Sequence, residues 1–326
     1  MYELIAKNKR KSVIVFIAMG ILMIALGGAI GWIFDSGYGE GVFVGIIVAI
    51  VVWAIQAIVA YYQGAKVVLM GMNAKEISKQ DDPMLYNIIE ELSMVSGLPM
   101  PKIYLIDTPA MNAFAAGTKP ETSVVAITRG LRERLNRQEI QGVMAHEMSH
   151  IYNRDVLYMT FASVMMCTIV LISEILMRSA FYSSLGRRRS SNDKGGVAQI
   201  VVILLIVVFA IFAAFLARLF YFSLSRKREY LADTMAVNFT HEPSALANAL
   251  QKISGDTADD FDPGKMAAAM CISKPNLRTR AMNMFSTHPP IDKRIAILRA
   301  MGEGTSYENY CRAYETIMGK NDLPKG

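Results

Sequence analysis

Four stretches of this chain carry no Asp, Glu, Lys or Arg over a length that can cross a bilayer. Ser12 to Phe34, Gly41 to Ala65, Val156 to Ser173 and Gly195 to Ala217 hold 23, 25, 18 and 23 residues, where about 20 are needed to cross a hydrocarbon core. Such blocks restrict the chain to membrane-crossing helices joined by polar segments, and all four are expected to span. The third is the shortest. Glu174 closes it, and its Ser, Thr and Met content leaves a buried or re-entrant helix as the alternative. The first begins too late and runs too long for a cleavable signal peptide, whose apolar region is about 7 to 15 residues, so it is expected to remain as an anchor. Composition agrees: 53% of the 326 residues are hydrophobic and 19% charged, against about 25% charged in an average soluble domain. An ordinary soluble enzyme is excluded. So are a disordered chain, a collagen-like repeat and a disulfide scaffold, given 11 Pro, 23 Gly and 3 Cys over this length.

Basic residues near the span ends set the orientation. Lys7, Lys9, Arg10 and Lys11 precede the first span, the Asp35 to Glu40 loop has none, and Lys66 follows the second. The N-terminus is therefore expected on the cytoplasmic side. Arg178, Arg187, Arg188, Arg189 and Lys194 would then lie outside, a conflict that keeps the re-entrant alternative open for the last two blocks. The net charge of +6 and the pI near 9.1 come largely from these flanks and point to topology and anionic lipid rather than to nucleic acid. Four segments follow: a two-span anchor over 1–65, the first part of a catalytic domain over 66–155, the third and fourth spans with a polar loop over 156–222, and the second part of the catalytic domain over 223–326.

Within the first polar segment, Asp82 and Pro83 open an amphipathic stretch with Leu85, Ile88, Ile89, Leu92 and Val95 at helical spacing, stopped by Gly97 and Pro99. Three β-like runs follow, Lys102 to Ile106, Asn112 to Ala116 and Ser123 to Thr128, separated by turn residues. They predict a small sheet. Asn136 with Glu139 reads as a capping box, opening a helix that carries His146, Glu147, Met148, Ser149 and His150. His-Glu-x-x-His on a helix stacks two imidazoles on one face, where both can reach a single zinc ion. Glu147, beside the first ligand, is placed to take a proton from the attacking water and deliver it to the leaving amine.

A hydrolytic zinc site needs a third protein ligand. His241, His288 and several carboxylates compete for the role. Glu174 is rejected because it sits at the far end of the third span. Glu229 lies on a helix expected to continue from the fourth span, with Asp233 one turn later on the same face, where a carboxylate can orient a ligand His. Alone, this pair would read as a solvated face bridging Arg226 or Lys227. Topology favours the ligand reading, because two crossings separate His150 from Glu229 and leave both on one side. His150 precedes Leu157 by seven residues and Glu229 follows Phe222 by seven, each about 10 Å of helix, so the metal is expected just inside the cytoplasmic surface, on helices continuous with the third and fourth spans.

With these residues in view, the chain resembles the HtpX-type heat-shock membrane metalloproteases, bacterial relatives of the CAAX prenyl endopeptidases among the gluzincins. The resemblance runs over essentially the whole chain: the two N-terminal spans, Asn112 to Gly117, His146 to His150, the two later apolar blocks, Glu229 to Asp233, and Thr287-His288-Pro289-Pro290 followed by Arg294. It implies a mainly α membrane protein with four transmembrane helices and a cytoplasmic, zincin-like α+β catalytic domain with a small sheet. It further implies His146, His150 and Glu229 as ligands of one Zn2+ and Glu147 as general base. Asp233 would support a ligand, Arg294 would brace the carboxylates, and His288 would hold substrate or the tetrahedral intermediate. Residues Asn112, Ala113, Phe114 and Ala115 would bind substrate, with Asn112 gripping its backbone. The residues themselves allow blander readings: His288 as a turn residue before a Pro pair, and the Asn112 run as either an edge strand open to β-augmentation or an internal core strand. The implied substrates are misfolded or damaged membrane proteins, cut in their cytoplasmic regions at a bacterial inner membrane.

Lesser features carry little. Cys167, Cys271 and Cys311 are odd in number and widely spaced, which supports free thiols rather than a disulfide or cysteine metal framework. Gly27 with Gly31 and Gly41 with Gly45 match the small-residue helix contact pattern, and Ser254 to Asn276 reads as a mobile lid. The rival reading from another class is a noncatalytic membrane transporter or scaffold with a chance metal motif.

Overall fold

The capping signals around Asp82 and Asn136 are built as the sequence predicts. In the computed structural model, Asp82 accepts a hydrogen bond from the Leu85 amide, and Gly97, at φ 68°, closes the helix Pro83–Ser96. That φ is left-handed, where glycine carries no Cβ penalty. The Asn136 and Glu139 side chains each accept from the other's backbone amide in a complete capping box. The structure describes residues 2–33, 40–70, 72–157, 226–255 and 289–320, with shorter stretches between 159 and 173 and between 204 and 216, and residue 323. In chain order the labelled elements are α1 (Tyr2–Ile33), α2 (Glu40–Met70), β1 (Lys75–Ile77), α3 (Pro83–Ser96), β2 (Lys102–Ile106), β3 (Ala113–Ala116), β4 (Val124–Thr128), α4 (Arg129–Arg134), α5 (Arg137–Tyr152), α6 (Arg226–Thr240), α7 (Pro243–Ser254), α8 (Ile291–Ala300) and α9 (Tyr307–Met318). The protein is mainly helical with one four-stranded mixed sheet.

The chain divides into two units. One comprises Ser12–Val59 and Val164–Ser223; the other comprises Met1–Lys11, Ala60–Ser163 and Leu224–Gly326. In the first unit α1 and α2 pack through glycine. A Cβ on Gly31 would overlap the Gly41 carbonyl oxygen, and one on Gly45 that of Gly27. The small-residue pattern thus joins two helices of one chain. The outward side chains are apolar, including Ile17 and Ile21 on α1 and Ile47, Val51, Ile55 and Ile58 on α2. Only 6% of the most apolar window of α2 is buried, and α2 is long and apolar enough to cross a membrane. An unburied apolar face of this extent is stable in lipid, not water. Phe16–Trp32 and the described residues of Asp155–Val170 form shorter apolar helices, while most of the fourth block lies outside the described residues.

In the second unit the sheet runs β1-β2-β4-β3. β2 and β4 are parallel, and β1 and β3 pair antiparallel at the two edges. The sequence reading gave three of these strands; β1 was not foreseen. Alternation along the strands divides two cores. Ala113, Ala115, Val125 and Ile127 face a cluster with Leu85, Ile88 and Leu92 of α3 and Val143, Met144 and Met148 of α5. Phe114, Ala116, Val124 and Ala126 face Val68 and Leu69 at the end of α2 and Met72 just beyond it. α5 contacts α3, α6, α7 and β3, so the His-Glu-x-x-His helix lies at the centre of this unit.

Candidate metal centre

The first ligand candidates sit where α5 meets α6. His146 and His150 stand one turn apart with ring centroids at 5.0 Å and planes at 87°. Glu229, on the first turn of α6, points between them. Its Oε2 lies 3.5 Å from His146 Nε2 and its Oε1 3.6 Å from His150 Nε2. One donor atom from each of the three residues lies within 4.8 Å of the others, and all three residues are buried. Two imidazoles and a carboxylate, taken out of water, with the two imidazoles converging by the same ring nitrogen, form the three-ligand donor set of a catalytic zinc site.

Each histidine faces a carboxylate at its other nitrogen, within hydrogen-bond distance at His146 and just beyond it at His150. Asp233, one turn along α6 from Glu229, places Oδ1 3.0 Å from His146 Nδ1, and Arg294 of α8 grips Asp233 with Nη2 at 2.6 Å and Nε at 2.8 Å. Arg294 Nη1 also lies 3.6 Å from Glu229. Asp233 and Arg294 are both fully buried. Burial and Arg294 push the His146 pKa down, but Asp233 and Glu229 outweigh them and raise it from 6.5 to about 9 in the metal-free protein. Burial raises the Asp233 carboxyl, but Arg294 and His146 together hold it below its ordinary value.

On the second histidine the partner is Asp155, with Oδ2 3.6 Å from His150 Nδ1 and Oδ1 3.5 Å from Arg228. The sequence reading did not single out Asp155 or Arg228. An uninterrupted helix would put a residue five positions after His150 on another face. Instead Asn153 and Arg154 form a turn, with Arg154 at φ 60°, and this break brings Asp155 back to the ring. The expected continuous helix from α5 into the third apolar block is therefore interrupted at this turn. An acid shortly after the motif is the one signal the sequence carries. Tyr310 of α9 has no such signal in the sequence: fully buried, its hydroxyl has no hydrogen-bond partner among the described residues, and burial together with Asp233 raises its pKa.

The other expected residues are placed unevenly. Glu147 is buried on α5 beside His146. His241 occupies an exposed left-handed turn after α6, at φ 55°, outside the metal group. His288, Cys167, Cys271 and Glu174, and most of the expected lid, lie outside the described residues; Cys311 is a free cysteine. Ala113 to Ala115 lie on edge strand β3, whose four residues are all buried and which contacts α5. Asn112 exchanges bonds with Thr128, donating its amide to Oγ1 at 2.8 Å and accepting from the Thr128 amide at 3.0 Å. Alternation then turns the main-chain groups of Ala113 and Ala115 away from β4. Asn112 Oδ1 accepts from the Ala113 amide at 2.9 Å.

The family model for peptidase family M48 matches residues 79–302, a range that includes the motif, Glu229, Asp233 and Arg294. The chain belongs to peptidase family M48. A protease HtpX homolog of Ligilactobacillus salivarius is 41% identical over 302 residues, covering 92% of this chain and all of that protein. One from Dictyoglomus thermophilum is 42% identical over 308 residues, covering 93% and 95%. One from Listeria monocytogenes is 39% identical over 307 residues, covering 92% and 100%. This M48 protein is thus a zinc metallopeptidase of the HtpX type, and the noncatalytic transporter or scaffold reading is set aside.

Proposed function

We propose that this M48 protein is a multi-pass membrane zinc endopeptidase that cleaves misfolded or damaged membrane proteins in their cytoplasmic regions. The observation that carries the reading is the buried convergence of His146, His150 and Glu229 in a chain whose helix α2 is fit to cross a membrane. Four spans, a cytoplasmic N-terminus and a cytoplasmic active site in a bacterial inner membrane complete the proposal, supported by the basic flanks of the first two blocks.

His146, His150 and Glu229 would hold the metal through His146 Nε2, His150 Nε2 and the Glu229 carboxylate, the atoms that face one another. Zinc held there supplies an acidified water and a Lewis acid that polarises a peptide carbonyl. Asp233 fixes the His146 tautomer by accepting from Nδ1, and Arg294 keeps Asp233 ionised and in place. Glu147 removes the proton from the attacking water and returns it to the departing nitrogen. The main-chain groups of β3 that face away from β4 would, once uncovered by an arriving peptide, offer it hydrogen bonds that are indifferent to sequence, which suits unfolded substrates, and Asn112 would exchange its bond to the Ala113 amide for one to the substrate. His288 is assigned to substrate or transition-state contact.

The test is cleavage of an unfolded membrane protein by the purified full chain, with zinc measured in parallel. Glu147→Gln should retain one zinc and lose about 10²- to 10⁴-fold in rate, the span of general acid–base effects. Undiminished cleavage in that variant would remove Glu147 from the base role. Cleavage confined to soluble substrates would refute the membrane-protein assignment.

A further inference from the structure

A cavity of about 430 Å³ that shares no residue with the metal centre opens between the end of α2 and the sheet. Tyr61, Tyr62 and Lys66 of α2 line one wall, Lys102 and Tyr104 of β2 another, and Thr118 a third. The Thr118 hydroxyl donates to the Tyr61 carbonyl at 2.8 Å, tying the loop after β3 to the helix. Lys119 extends its ammonium over the Tyr61 ring, 5.3 Å from the centroid. Glu76 is the acidic group of the lining, and it is already engaged by Lys102 at 3.0 Å and by the Tyr104 hydroxyl at 3.1 Å. Lys66 is exposed and has no carboxylate partner among the described residues. The cavity therefore presents the Lys66 ammonium, with its carboxylate internally compensated by Lys102 and Tyr104.

Position supplies the second argument. From Glu40 to Tyr61 the helix rises about 31 Å at 1.5 Å per residue, close to the thickness of a hydrocarbon core of about 30 Å. The unbroken run of apolar outward residues on α2 reaches Ile58 and Val59, and Tyr62 follows at 75% exposure, with Met70 exposed again at the helix end. Tyrosines directly beyond an apolar span lie at headgroup level. With α2 crossing as proposed above, the mouth of the cavity would fall at the level of the lipid phosphates.

We propose that this cavity binds the phosphate of an anionic phospholipid headgroup, with Lys66 as its principal cation and Tyr62 packing against the glycerol and upper acyl chain. The bound lipid would moor the Lys102 end of the sheet at the membrane surface. The experiment is native mass spectrometry of the full chain in non-ionic detergent, titrated with phosphatidylglycerol or phosphatidylcholine of matched acyl chains. The wild type is expected to retain phosphatidylglycerol preferentially. Lys66→Gln should weaken that retention about fivefold, the effect of one lysine near an anionic surface, and Tyr62→Ala should weaken it too. Lys79→Gln, an exposed lysine paired elsewhere with Glu90, should leave it unchanged. Equal retention of the two lipids, or unchanged retention in Lys66→Gln, would overturn the proposal. Displacement by millimolar inorganic phosphate would assign the cavity to a soluble phosphate and overturn it equally. Peptide cleavage in detergent is expected to be the same in Lys66→Gln as in the wild type, so the lipid result stands or falls apart from the peptidase reading.

Discussion

Replacing Asp233 by Asn keeps the shape of the side chain and removes its charge at the point where three buried groups meet. The carboxylate faces His146 Nδ1 at 3.0 Å and Arg294 at 2.6 and 2.8 Å, and neither Asp233 nor Arg294 has measurable exposure. Two separable losses follow. Without the carboxylate, His146 is a weaker and less firmly oriented donor, and comparable changes behind a metal-bound histidine cost about 10- to 100-fold in metal affinity, or roughly 1.4 to 2.7 kcal/mol. Arg294 meanwhile keeps, among the described residues, only Glu229, at 3.6 Å, as a counter-charge. Breaking a buried pair by removing one partner costs about 3 to 5 kcal/mol of folding stability. Zinc affinity is read by competition with a calibrated chelator, and stability by thermal unfolding of the metal-free protein. The double variant Asp233→Leu with Arg294→Met removes both charges, so it should recover much of the stability while binding zinc no better than Asp233→Asn. Wild-type zinc affinity in Asp233→Asn would refute the orienting role and leave Asp233 a purely structural residue.

Three further outcomes are expected. Asp155→Asn should weaken zinc binding about tenfold, because Asp155 is the carboxylate facing His150 Nδ1; an unchanged chelator competition curve would dismiss it. The raised pKa of His146, about 9 against an ordinary 6.5, means that the metal-free site holds a proton which zinc must displace. Between pH 6.5 and 9, zinc affinity should therefore rise up to about tenfold per pH unit, with close to one proton released per ion in calorimetry across buffers of different ionisation enthalpy. The sign for stability is opposite: the charged His146 stabilises the metal-free fold fully below pH 6.5, and this contribution is lost as pH rises through about 9. Gly45→Leu should separate α1 from α2, since even a Cβ there meets the Gly27 carbonyl. The cost of about 1 to 3 kcal/mol should show as faster proteolysis of the detergent-solubilised chain, and wild-type resistance would discount the glycine contact.

What the sequence determined by itself was everything written into adjacent residues. The apolar stretch that becomes α2 is legible because crossing lipid demands a contiguous run. Asp82, Gly97, Asn136 and Glu139 mark helix ends because a cap is a contact between near neighbours. The His146 and His150 pair is legible because one helical turn places them together, and the same spacing joins Glu229 to Asp233. The tertiary structure decided what bridges long separations. Arg294 reaches Asp233 across 61 positions and His146 across 148, which no local periodicity encodes. β1 is too short to announce itself and becomes a strand only by pairing with β2. Asp155 comes back to His150 because the backbone turns at Asn153 and Arg154, a departure that helical spacing argues against. The metal donors can be read along the chain, but the groups that hold them in orientation come from separate elements, and only burial in one core gives those groups enough mutual attraction to converge.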